Sequence, residues 1–310
     1  MTVLAYRQFH NQPPGSPLDR WLTEMWAVVK GESGGQLDVE VCPQNDGIAG
    51  GDPQALQMLL AGEVEFYTLM GGLLGTVAPI AEITGLPFAF ASHAQVFAAI
   101  DGELGDYVRR ELLAKGIYAV PRACFENGFR HISTSTKSIR TADDLVGLRI
   151  RTPSGRLFID FFESLGAQPT PINLNRLYDA LKAGAVEAQE NPLAMIETNR
   201  LYEVQTYLSF TDHMWSGFNL LANGERWHAL SADVQQVVER VARRYTACQR
   251  EETMVFNAAL RTRLAERGMI VNAADRVSIR GRLGAFYARW KREFGPKAWR
   301  LLEAQIGPFG

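Results

Sequence analysis

Between Gly147 and Pro192 the hydrophobic pattern switches repeatedly between a period of two and a period near 3.6. Leu148-Arg149-Ile150-Arg151 alternates apolar and basic residues, which predicts a strand, and Pro153 ends the run. Leu157, Phe158, Phe161, Phe162 and Leu165 then share one helical face, with Ser154 as the expected N-cap and Gly166 as the stop. After a second strand, Asn173 is placed to cap a helix whose face is Leu174, Leu177, Tyr178 and Leu181, stopped by Gly184. Ala185 to Glu190 reads as a further short strand entering Asn191-Pro192. Strands joined by helical crossovers build a parallel sheet, and polar residues just past its strand ends face a ligand crevice. Arg151 and Asn191 hold those positions.

The same order opens the chain. Val3 to Phe9 predicts a strand, and Leu18, Trp21, Leu22, Met25, Trp26, Val28 and Val29 mark the buried side of a helix. Leu37 to Val41 alternates as a second strand. Asp52 as N-cap with Pro53 behind it starts a helix that stops at Gly62, and Val64 to Leu69 forms a third strand. Two similar α/β halves are implied. Further on, Ala94–Lys115 is helical with a break near Gly102, and strands are predicted at Ile117–Phe125, Phe129–Ser133, Thr206–Phe210 and Met214–Leu221. A helical pattern from Ser231 to about Arg267 is long enough to bridge two domains. Met269-Ile270-Val271 is the last expected strand, and two helical stretches finish the chain. No low-complexity linker separates the halves, so they are expected to cross over through paired strands. The expected lobes are 1–124 with 213–252, and 125–212 with 253–310.

A length of 310 residues suits two domains, and 46% apolar with 21% charged residues is the balance of an ordinary globular protein. A net charge of −2 argues against nucleic acid or an anionic membrane as partner. The longest apolar run, Val64 to Phe90, is broken by Glu65, Pro79, Glu82, Pro87 and several glycines, well short of a bilayer span. Cys42, Cys124 and Cys248 are too few and too scattered for a disulfide framework or a zinc site. No basic-then-apolar leader precedes Val3. The chain is thus read either as cytoplasmic or as one whose signal was removed, with Met1 supplied for expression.

Little in the chain points to catalysis. Arg151 can hold a carboxylate through two parallel charge-assisted bonds, although an ordinary surface arginine has the same sequence context. Asn191 offers an amide donor and acceptor, or alternatively an N-cap for the helix after Pro192. Arg130, at a strand start after Gly128-Phe129, is a weaker candidate. His10, His93, His131, His213 and His228 are scattered, and none lies in a metal or nucleophile motif. No nucleophile elbow, Walker loop or dinucleotide fingerprint occurs. The run Met70-Gly71-Gly72-Leu73-Leu74-Gly75 lacks a phosphate loop's lysine and is read as a turn where two backbones approach closely. Glu126, Asp143, Asp144, Glu187 and Glu190 form no evident acid/base pair, and no cofactor or metal is expected.

Several short segments, in one order, resemble a known family. They include Leu86-Pro87-Phe88, Glu126-Asn127-Gly128-Phe129-Arg130 and Gly147-Leu148-Arg149-Ile150-Arg151-Thr152-Pro153. Gly166 to Pro171, Gln189-Glu190-Asn191-Pro192 and Tyr202-Glu203-Val204-Gln205 follow. Together they are similar to the periplasmic solute-binding subunits of TRAP transporters, the DctP family. The resemblance implies a two-lobed α/β periplasmic-binding-protein-like fold with crossover strands and a long domain-bridging helix. It implies a periplasmic protein whose signal peptide has been removed, with TRAP membrane subunits as partners. It puts the family's carboxylate-clamping arginine on Arg151, its asparagine on Asn191 and a second polar contact on Arg130. His213 and Trp215 fall on the strand that returns across the cleft.

The departures from the family bear on the ligand. Sialic-acid-binding relatives present an acidic and a basic side chain after the third strand, where this chain has Met70 and Leu73. Leu174 stands where a phenylalanine is common under the ligand, and Phe9 where those relatives have a polar residue. Unpaired ligand hydroxyls against such a wall would cost roughly 1–3 kcal/mol each. The expected ligand is therefore a small monocarboxylate, best an aromatic or branched 2-hydroxy or 2-oxo acid, captured by cleft closure. Two other readings stay open here. One is a lyase or isomerase using His10 or His213 as base, and the other is the binding lobe of a sensor.

Overall fold

The computed structural model describes residues 3–309. Its strands, in chain order, are β1 Leu4–His10, β2 Leu37–Cys42, β3 Phe66–Met70, β4 Ile117–Phe129, β5 His131–Thr134 and β6 Arg149–Thr152. They continue with β7 Gln168–Pro171, β8 Ala188–Asn191, β9 Tyr207–Phe210, β10 Trp215–Asn223 and β11 Ile270–Ala273. The helices are α1 Pro17–Glu32, α2 Gly51–Ala61, α3 His93–Asp101, α4 Glu103–Leu113, α5 Arg156–Ser164 and α6 Leu177–Lys182. After them come α7 Leu193–Thr198, α8 Gly224–His228, α9 Ala232–Glu266, α10 Arg276–Arg280 and α11 Gly284–Ile306. No helix among the described residues is long and apolar enough to cross a membrane.

The chain divides into two compact units, residues 1–70 with 105–126 and 217–253, and residues 71–104 with 127–216 and 254–310. Strands β4 and β10 and helix α9 each run from one unit into the other. The fold class read from the sequence is the one observed. The compact units depart from the expected lobes mainly at residues 71–104, which count with the second unit, and by a few residues at 125–126, 213–216 and 253. The cause is local packing. The Glu82 carboxylate accepts the Leu157 N–H of α5 at 2.7 Å.

The first unit holds a sheet in the order β2-β1-β3-β10-β4. Strands β1, β2 and β3 are parallel, and β10 runs antiparallel to β3 with Phe218 opposite Met70. Helix α1 covers it with Leu22, Met25, Trp26 and Val29, and the Trp26 ring lies 4.6 Å from that of Phe66. Ser16 caps α1, and Gly62 ends α2 with φ 74°. Asp52 does not cap α2 as expected, because its carboxylate accepts hydrogen bonds from Tyr67, Asn45 and Asn11 instead. The cap position falls to Gly50.

The second unit holds a sheet in the order β11-β9-β5-β8-β6-β7. Strands β7, β6 and β8 are parallel, and β5 is antiparallel to both β8 and β9. Leu177, Leu181, Leu193, Ile196, Leu260 and Leu264, from α6, α7 and α9, form one buried core with Leu208 of β9. Each such side chain contributes about 1.5–3 kcal/mol of burial free energy. Helix α5 buries the predicted face of Leu157, Phe158, Phe161 and Phe162. Its cap is not Ser154. Gly155 holds the cap position without a side-chain bond, and Glu82 takes the Leu157 N–H.

Candidate functional site

Arg151 and Asn191 are positioned by the register of β5, β8 and β6. Arg151 in β6 stands opposite Gln189 of β8 and Thr170 of β7. Its side chain is buried, and Nε donates to the Ile172 carbonyl at 2.7 Å, which orients the plane of the guanidinium. Asn191 ends β8 opposite His131 and is also buried. Pro192 holds the N-cap position of α7, so the Asn191 amide is not spent on capping.

Arg130 occupies the single residue between β4 and β5, held there by its N–H to the Met214 carbonyl at 2.8 Å. Its guanidinium is fully buried and meets the Glu190 carboxylate in a fork-to-fork pair. Nε faces Oε2, and Nη2 lies 2.6 Å from Oε1. Nη2 also reaches Asn191 Oδ1 at 3.2 Å, Nη1 reaches Ser216 Oγ at 3.2 Å, and the guanidinium sits 5.1 Å above the Phe158 ring. Burial raises the Glu190 pKa, but the Arg130 charge and the His213 contact outweigh it and hold the carboxyl below its usual range. Arg130 is thus engaged by a buried carboxylate.

His213 is stacked on Phe161 with ring centroids 5.3 Å apart, and is fully buried. Its Nε2 lies 3.3 Å from Glu190 and its Nδ1 2.8 Å from the Thr211 hydroxyl. Burial lowers its pKa despite the carboxylate beside it, which favours the neutral ring. Against an ionised carboxylate, which only accepts, Nε2 carries the proton and Nδ1 accepts from Thr211. Both nitrogens are engaged. The same holds for His10 in the first unit, whose Nε2 lies 3.0 Å from Asp19 and whose Nδ1 accepts the Gln12 N–H. Both imidazoles are thus held by hydrogen bonds inside the protein.

Trp215 is the buried first residue of β10, and Leu174 is half-buried against the core shared by α6, α7 and α9. In the first unit, Phe9 is buried beneath the Arg7 guanidinium, 5.3 Å from its ring, and Met70 is buried at the end of β3. The glycine-rich run after β3 serves packing, as its sequence implied. A Cβ on Gly155 would lie 2.1 Å from the Gly72 carbonyl oxygen, and one on Gly72 would lie 2.5 Å from the Phe158 ring.

Glu190, Gln189 and Ser133 belong to this site and were not singled out from sequence. Their signal was present: Gln189 and Glu190 are consecutive polar residues in a buried strand, so they face opposite sides and each needs its own partner. Gln189 finds Ser133 at 2.7 Å and Asn191 at 2.6 Å, and Glu190 finds Arg130 and His213. A separate pocket of about 170 Å³ in the same unit is lined by residues including His93, Phe129, His131, Asp212 and Arg261. Among the described residues, no three His, Cys, Asp or Glu side chains converge as metal ligands.

The profile of the family described as bacterial extracellular solute-binding protein, family 7 (DctP), matches residues 9–293. A solute-binding protein of Roseobacter denitrificans is 32% identical over 243 residues, covering 78% of this chain and 73% of the relative. An uncharacterized protein of Sinorhizobium fredii is 30% identical over 228 residues, which are 74% of this chain and 41% of that longer protein. Among solved structures, the sugar acid binding protein DctPAm of Advenella mimigardefordensis, in complex with galactonate, superposes with a TM-score of 0.91 at 27% identity, covering 98% of both chains. A TRAP periplasmic solute binding protein of Polaromonas, bound to D-erythronate, gives 0.90 at 26% identity, covering 99% of both.

Proposed function

The chain belongs to bacterial extracellular solute-binding protein family 7, and on that premise we propose that it is the periplasmic binding subunit of a TRAP-type transporter, with Arg151 as its carboxylate clamp. The observation that carries this reading is the orientation of Arg151 through Nε and the Ile172 carbonyl, opposite Gln189, two residues before Asn191 at the end of β8 in the same sheet. A guanidinium oriented by a backbone bond at Nε presents a defined plane, which suits bidentate recognition of a carboxylate. Asn191 supplies a further polar contact.

Arg130 has a different role in this proposal from the one the resemblance implied. Its charge is matched by Glu190 inside the protein, so it supports Asn191 and leaves the ligand carboxylate to Arg151. With one arginine assigned to one carboxylate, monocarboxylates fit better than dicarboxylates. Relatives of this fold hold galactonate and D-erythronate, both monocarboxylates with several hydroxyls. The sequence departures at Phe9, Met70 and Leu73 from sialic-acid-binding relatives are the ground for adding more apolar acids. Both classes therefore belong in one screen.

The test is a thermal-shift panel of galactonate, D-erythronate, lactate, mandelate, phenylpyruvate and succinate. The proposal predicts stabilisation by at least one monocarboxylate and little by succinate. A response to succinate alone would overturn the single-carboxylate assignment. Recovery of the bound acid unchanged after long incubation distinguishes capture from turnover. Scattering with and without the acid tests whether capture involves closure.

A further inference from the structure

We propose that Gln189, Ser133 and Gln205 are positioning residues that lock the amide of Asn191 in one orientation, through a hydrogen-bond relay of fixed direction. The proposal rests on the assignment of Asn191 to ligand contact made above.

The relay has five links. Arg130 Nη2 shares its two hydrogens among Glu190 Oε1 at 2.6 Å, the Glu190 carbonyl at 2.9 Å and Asn191 Oδ1 at 3.2 Å, and Asn191 Nδ2 donates to Gln189 Oε1 at 2.6 Å. Gln189 Nε2 donates to Ser133 Oγ at 2.7 Å, and the Ser133 hydroxyl donates to Gln205 Oε1 at 3.1 Å. Gln205 Nε2 then donates to the Val204 carbonyl at 2.9 Å. Arg130, Ser133, Gln189, Asn191 and Gln205 are all buried.

The direction follows from the two ends. A guanidinium only donates, and a backbone carbonyl only accepts. Turning the Asn191 amide over would set its NH2 against the Arg130 N–H groups. Turning Gln189 over would set its NH2 against the NH2 of Asn191. Each intermediate amide therefore has one satisfied orientation. A buried donor left without an acceptor costs more than a typical net hydrogen bond contributes, so the chain of amides turns together or not at all. Register supports the same grouping. Ser133 stands opposite Gln189 across β5 and β8, and Arg151 stands opposite Gln189 across β6 and β8. Gln189 thus lies between the two residues assigned to the ligand.

The consequence is preorganisation. Asn191 retains one N–H and one carbonyl lone pair beyond its relay bonds, and both keep fixed positions. An acid that uses them meets groups that need no reorientation, and affinity gains accordingly. The structural alternative is a polar network that only stabilises the sheet. That alternative predicts loss of stability without a specific effect on Asn191.

The experiment uses the full chain. The side-chain NH2 signals of Asn191 are followed by 15N NMR in the unliganded protein for Ser133→Ala, Gln205→Met, Ser133→Thr and Ser209→Ala. Ser209 is a matched control, equally buried in the same sheet but bonded to Ile139 and Asn272 outside the relay. Both relay variants are expected to shift or broaden the Asn191 signals and to weaken galactonate or D-erythronate binding about tenfold. Ser133→Thr, which keeps the hydroxyl, should restore both, and Ser209→Ala should leave both unchanged. If Ser133→Ala does not fold, Gln205→Met carries the test. Unmoved Asn191 signals in a folded relay variant overturn the proposal, as does an equal shift in Ser209→Ala. Loss of the carboxylate assignment itself would instead appear as normal binding by Arg151→Ala.

Discussion

Arg130 and Glu190 form a buried fork-to-fork ion pair, with Nη2 2.6 Å from Oε1 and both side chains at most 1% exposed. Such a pair is satisfied only while both members are present. The Coulomb attraction offsets two desolvation penalties, and removing one partner leaves the other penalty uncompensated. The pair also sets the donor end of the Asn191 relay, so it links stability to the candidate site.

Arg130→Met alone and Glu190→Leu alone should each destabilise the protein by about 3–5 kcal/mol, because each strands a buried charge. The double replacement should cost much less than the sum of the two. Urea unfolding of all four species gives the coupling energy. Additive losses would mean that the two side chains do not act as a pair.

Stability should fall as the pH drops below about 6.5, the ordinary histidine value. Burial, together with His213 and the nearby arginines, holds His131 well below that value, and burial lowers His213 as well. The unfolded chain then takes up protons that the folded chain does not. Each histidine contributes a loss of up to about 1.4 kcal/mol per pH unit until its folded value is reached. Glu190 is lowered too, but as a carboxylate its contribution is lost only in more acidic solution. His131→Asn should flatten the stability profile between pH 7.5 and 5.5, measured as the urea midpoint. A slope unchanged from wild type would exclude His131 as a source.

Glu82 should behave in the opposite sense. Burial lifts its pKa to about 7, although the Leu157 N–H opposes the shift. A carboxyl raised above its unfolded value of about 4.3 loses stabilisation as the pH rises through this window. Glu82→Gln keeps an acceptor for Leu157 without the charge. It should exceed wild type by only about 1 kcal/mol near pH 5 and by roughly 3–4 kcal/mol at pH 8. Thermal melts at the two pH values check this, and a gain at pH 5 equal to that at pH 8 would contradict it.

Gly155→Ala should be strongly destabilising although its φ of −70° suits alanine. The added methyl would meet the Gly72 carbonyl at 2.1 Å, a contact that only backbone movement can relieve. Overpacking of this kind costs about 1–3 kcal/mol or more. Gly147→Ala is the useful contrast: it meets no neighbour, and its penalty comes from φ 74° alone. Comparing the two by urea unfolding separates steric from conformational cost.

Much of the fold was legible in the hydrophobic periodicity. The strand at Leu148–Arg151, the helix face of α5 and the stops at Gly62, Gly166 and Gly184 all appear within a residue or two of expectation. Local capping was less legible, because it is decided by contacts distant in sequence. Ser154 yields to Glu82, 75 positions from Leu157, and Asp52 is drawn away by Tyr67 and Asn45. Residues 71–104 pack with the second compact unit through the same kind of distant contact. At the candidate site, the polar ends of β6 and β8 were visible as Arg151 and Asn191. The partners of Arg130 were not, since an arginine and a glutamate 60 positions apart give no local signal of pairing.

The central claim is that Arg151 binds the carboxylate of a small organic acid. It is tested most directly by measuring, on the same samples, the melting temperature of Arg151→Ala and its affinity for the acid that best stabilises the wild type. The account predicts a folded protein that melts within a few degrees of wild type and whose affinity falls about 100-fold or more. A folded Arg151→Ala protein that keeps wild-type affinity would contradict it.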